Sequence, residues 1–147
     1  MSNRYTSENA AELEHLMMLT SRLTDAHLSH PADAGWTVAG LLAHLAFWDQ
    51  RALVLLRKWR QSGIGPSPMD TDVVNEATRL HCLAIAPRAA VQLAVTSAAA
   101  IDHEVEQLDL SFLAAVETDG TAVHLNRAEH RRLHLGEIER LLATQAT

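Results

Sequence analysis

The stretch Thr121 to Leu142 reads TAVHLNRAEHRRLHLGEIERLL, and its pattern decides how the rest of the chain is read. Leu133, Ile138, Leu141 and Leu142 recur with a helical period and define one apolar face. Glu129, Arg131, Arg132, Glu139 and Arg140 mark the opposite, solvated side. His130 and His134 fall on the apolar face, beside Leu133 and one turn above Ile138. Four residues apart on a helix, they lie about 40° apart around the axis and roughly 5–6 Å apart at Cβ. That is near enough for both to bind one metal ion. Nine histidines in 147 residues supply roughly half such a pair by chance, so placement carries the reading more than spacing does. A buried imidazole costs free energy unless its nitrogens are satisfied.

Working back from that helix, Val38 to Trp48 contains one polar side chain, His44, in eleven residues. A helix that is apolar all round is expected to be buried all round, so His44 must find its partner inside the fold. One imidazole from this helix and two from the last make three neutral nitrogen ligands. Such a set leaves a coordination position open, as catalytic rather than structural sites do.

The remaining segments also read as helices. Thr6 or Ser7 caps a first helix with the inner stripe Leu13, Leu16, Met17, Thr20 and Leu23, ending near His30-Pro31. His27 extends that stripe as a candidate core residue. Thr37 caps the second helix, which runs to about Arg60 and stops at the glycine- and proline-rich residues 63–68. A third helical region starts near Asp70 or Thr71 and meets Pro87, which suits the first position of a further helix to about Leu108. One kinked helix and two separate pieces both fit. Leu110 to Val116 reads as a short helical turn before Asp119-Gly120, with Thr121 capping the last helix. No segment alternates with a period of two, and no repeat or second domain is visible. The expectation is one all-α domain over residues 1–147, most simply a four-helix bundle.

Composition narrows the function. A formal charge of −6, with eleven of the twelve cations arginine and none clustered, sets nucleic-acid binding aside. A single cysteine, Cys82, excludes an internal disulfide and leaves cytoplasm as the default location. No apolar run is long enough to span a bilayer, and no apolar leader core opens the chain.

The segment 35–49, GWTVAGLLAHLAFWD, followed downstream by residues 125–134, LNRAEHRRLH, resembles the DinB-like family of metalloenzymes. That family includes thiol-dependent transferases and the N-terminal domain of mycothiol-dependent maleylpyruvate isomerase. The resemblance implies a DinB-like four-helix bundle, a divalent ion such as zinc or nickel held by His44, His130 and His134, and pairing into homodimers. It further implies a low-molecular-weight thiol, mycothiol- or bacillithiol-like, as co-substrate. The isomerase's second domain has no counterpart here, so that particular reaction is not expected.

Three functions follow for such a site. The first is a metal-dependent thiol S-transferase acting on small electrophiles, with Arg127, one turn before His130, or Arg51, two turns after His44, holding an anionic group. The second is hydrolysis by metal-activated water, with Glu137 or Asp49 as base or as partner of a ligand. The glutamate that follows the first histidine in H-E-x-x-H proteases is Arg131 here, so that chemistry is not supported. The third is a non-catalytic protein that sequesters a small molecule, with Trp36, Trp48, Trp59 and Phe47 as candidate walls. Cys82, without a histidine at a helical step, reads as a buried inert thiol. His124 faces the wrong side for a fourth ligand.

Overall fold

The computed structural model describes residues 3–145. Among them every regular element is helical, apart from an isolated bridge between Pro31 and Thr37. The order is α1 (Thr6–Arg22), α2 (Asp25–Ser29), α3 (Val38–Ser62), α4 (Thr71–Ala84), α5 (Pro87–Glu106), α6 (Leu110–Asp119) and α7 (Ala128–Ala143), with a 3-10 turn at Asp33–Gly35. Several starts follow capping chemistry. Thr24, Thr37, Asp70 and Asp109 each accept from the backbone N–H three residues on, satisfying a donor that the first helical turn leaves orphaned.

The long first half of α3, apolar apart from His44 up to Trp48, is the spine. It packs against α5, α4 and α7, while α1 lies against α7 and α5. Ala90, Ala94 and Ala98 recur every fourth residue on α5 and are buried; such small side chains let two helix backbones approach at the short end of the usual range. One apolar cluster gathers Leu16, Leu42, Leu45, Leu135 and Ile138, and a second gathers Leu56, Trp59, Ile101, Val116 and Leu125. Gly120 ends α6 against Trp59, where a Cβ would come within 2.7 Å of the indole. No helix among the described residues is long and apolar enough to cross a membrane.

Several expectations are corrected. The first helix does not reach His30, because Thr24 starts a separate helix through a reciprocal cap. The Thr24 hydroxyl accepts from the His27 N–H and His27 Nδ1 accepts from the Thr24 N–H, each at 3.1 Å. His27 is therefore a capping residue and not a core one. Met17 is exposed, and Leu19 takes the inward position instead. Pro87 separates two distinct helices, α4 and α5. Thr121 caps nothing, since α7 begins only at Ala128.

The face of α7 is also turned relative to the reading from hydropathy. Its buried residues are Ala128, Arg131, Leu135 and Ile138, a regular three-four-three spacing, whereas Leu133 is 61% exposed. Arg131, read as solvated, is 1% exposed. A guanidinium can occupy a core position when carboxylates meet it there, and Arg131 bonds both oxygens of Asp102, at 2.7 and 2.8 Å.

Candidate metal centre

Turning the buried face of α7 by one residue moves His130 and His134 to the edge of the core, where both are half-buried. His44 on α3 meets them there and is 6% exposed. The three rings form a near-regular triangle, with centroid separations of 5.0 Å for His44–His130 and 4.8 Å for the other two pairs. Nε2 of His44 and Nε2 of His130 are 3.1 Å apart. One ligand nitrogen from each ring lies within 4.8 Å of the others. Imidazole nitrogens sharing a tetrahedral ion at about 2.0–2.1 Å stand roughly 3.4 Å apart, so this pair is already at ligand spacing.

The chemistry of the donor set fits a cation. Burial, reinforced by the neighbouring His134, lowers the pKa of His44 to about 4. Burial, then the other two imidazoles and Arg127 and Arg131, lowers that of His130 to about 3. Both rings are therefore neutral at physiological pH and offer lone pairs, the form a metal needs. His134 Nδ1 lies 3.1 Å from Glu137 Oε2, one turn on. A carboxylate at that nitrogen fixes the tautomer that leaves Nε2 unprotonated, the usual support of a ligating histidine. Trp36 and Trp48 pack edge-on against His44, at 5.3 and 6.5 Å between centroids.

A buried polar network holds α7 in place beneath the rings. Asn9 on α1, 1% exposed, accepts through Oδ1 from the backbone N–H groups of Arg127 (2.8 Å) and Ala128 (3.0 Å) and donates through Nδ2 to the Leu125 carbonyl (3.0 Å). It thus caps a helix 119 residues away. Asp49 on α3 accepts from Arg127 at 2.9 Å and from Arg131 at 3.5 Å. Burial works against the charge of Arg131, but Asp102 and Asp49 outweigh it and hold the guanidinium above its ordinary range.

The sequence candidates separate accordingly. His44, His130 and His134 come together, and Glu137 joins them through His134. Asp49 is buried, with both oxygens engaged by the two arginines. Arg127 is paired with Asp49 and the His124 carbonyl. Arg51 reaches the Ala122 carbonyl at 2.7 Å and Ser67 at 3.0–3.2 Å. Of the aromatics, Trp48 lines the cavity in front of the histidines, while Trp59 is core and Phe47 borders a different hollow. Cys82 is buried, and burial pushes its thiol pKa up, as an inert thiol requires.

That cavity has a volume of about 810 Å³ and is bordered by His44 and His130, by Trp48 and Arg51, and by residues of the 65–69 loop. Its size suits a small molecule. Asn9, Arg131 and Asp102 were missed from the sequence. The available signal was the spacing of Ala128, Arg131, Leu135 and Ile138, which places an arginine on the inward row. Comparison with family models, with curated proteins and with solved structures finds no match for this chain.

Proposed function

We propose that this protein is a divalent-metal enzyme with a DinB-like four-helix bundle, holding zinc or nickel through His44, His130 and His134 and transferring a low-molecular-weight thiol to small electrophiles. The observation that carries the reading is the convergence of three imidazoles, two of which, His44 and His130, border an open cavity. A bound divalent ion would supply the positive charge that lowers a thiol's pKa and makes thiolate available at neutral pH.

The protein's own residues do the rest. Glu137 orients His134, and the buried walls around His44 keep that ring neutral. Trp48, tied by its indole N–H to Asn75 at 3.0 Å, gives the cavity a fixed flat side. Thiol transfer is favoured over hydrolysis because the two carboxylates read as candidate bases are engaged elsewhere, Asp49 by Arg127 and Arg131 and Glu137 by His134. Thiolate attack needs no such base once the thiol has lost its proton.

Elemental analysis of natively purified protein beside a His44→Ala variant tests the ion. One equivalent in the parent and none in the variant is expected. Metal-loaded protein mixed with mycothiol- and bacillithiol-type thiols and a panel of electrophiles tests the reaction. Turnover of esters or amides without thiol, and none with any thiol, overturns the transferase reading in favour of a hydrolase.

A further inference from the structure

Resting on the metal-centre reading above, we infer that the cavity takes an elongated small molecule that carries one carboxylate at the end remote from the histidines, and that Arg51 receives it. His44, Trp48 and Arg51 follow one another at steps of four and three along α3, so they lie in one row on one face. All three border the same cavity. Arg51 lies seven positions after His44, about 10 Å along the helix axis. A ligand that touches both ends of the row is therefore long, and Trp48 offers its middle an apolar wall.

The charge of Arg51 is what asks for an anion. Among the described residues no carboxylate lies within ion-pair distance of it. Arg51 donates to the Ala122 carbonyl and to the carbonyl and hydroxyl of Ser67, and its guanidinium carbon stands 6.0 Å from the centroid of the Trp48 ring. Those three bonds use three of the five N–H donors of a guanidinium. They orient the group and leave its charge without a paired carboxylate. Burial and the nearby Arg127 lower the pKa of Arg51, the sign of a cation that its surroundings do not balance. Arg127 also borders the cavity but is neutralised by Asp49. One guanidinium without a carboxylate in ion-pair reach matches one carboxylate on the ligand. Asp119 and Glu129, which also border the cavity, disfavour a dianion such as a phosphate monoester.

Two measurements test this. Cobalt(II)-loaded protein is titrated with 6-mercaptohexanoate and with 6-mercaptohexan-1-ol, following the thiolate-to-cobalt absorption band. The carboxylate is expected to bind about tenfold tighter than the alcohol, the scale of a hydrogen bond to a charged group. In Arg51→Gln the two probes should bind alike, and in Arg51→Lys part of the preference should remain. Metal-free protein is titrated in parallel with hexanoate, following tryptophan fluorescence beside Arg51. A saturable change in the parent that Arg51→Gln abolishes supports the carboxylate site even if no cobalt binds, in which case the metal reading alone fails. Equal binding of acid and alcohol to cobalt-loaded parent protein overturns the carboxylate site and leaves the metal centre standing. Tighter binding of 6-mercaptohexyl phosphate than of the carboxylate likewise overturns the assignment.

Discussion

Replacing Asn9 with alanine should destabilise the protein well beyond an ordinary helix-cap change. The side chain is almost wholly buried and makes three bonds, accepting from the Arg127 and Ala128 N–H groups and donating to the Leu125 carbonyl. Alanine leaves two donors and one acceptor without partners in the core. Each buried orphan costs about 1–3 kcal/mol, so the lower end for all three gives a loss of about 3 kcal/mol. With a urea slope of about 2 kcal/mol/M, the unfolding midpoint drops by about 1.5 M. Asn126→Ala is the control. Its Oδ1 caps the Glu129 N–H at an exposed site and should cost about 1 kcal/mol or less. His130 sits in the first turn of α7, so metal affinity should fall with Asn9→Ala as that turn frays. A loss below about 1 kcal/mol, or a loss no greater than that of Asn126→Ala, would refute the argument that a side chain from α1 holds the start of α7.

Three further outcomes are expected. Glu137→Gln should weaken metal binding about 10- to 100-fold by competition with a chromogenic chelator, with little change in stability. In metal-free protein, stability should fall with acid. His44 and His130 have folded pKa values of about 4 and about 3 against about 6.5 unfolded, so the unfolded chain binds more protons between those values. Each group should contribute about 1 kcal/mol of loss between pH 7 and pH 5.5, and urea melts of His44→Gln should show a shallower decline. Leu133→Ser, at a position that hydropathy alone would place in the core, should shift a thermal melt by no more than about 0.5 kcal/mol in stability.

The helical class, the bounds of α3 and the three-histidine meeting point could be read from the sequence because each rests on a strong local signal. His44 is isolated in an unbroken apolar run, and H-x3-H keeps two rings on one side of a helix whatever its exact rotation. The inward face of α7 could not be read from hydropathy. Arg131 occupies it because Asp102 and Asp49 arrive from α5 and α3, and that meeting is a tertiary fact. The start of α7 is hidden from the sequence for the same reason, since its cap comes from Asn9 on another helix. Thr24 and His27, by contrast, carried a local cap that an apolar stripe through His27 concealed.

The cap on α7 has a bearing on when the three histidines can meet. Asn9 and the Leu125 carbonyl it holds are 116 residues apart, and the two histidines of α7 follow only a few positions later. During synthesis the early helices emerge with their lock already made but its key still inside the ribosome. Nascent chains halted before α7 would therefore expose the flank of α1 and offer metal a lone imidazole, and the centre would assemble as one of the last acts of folding.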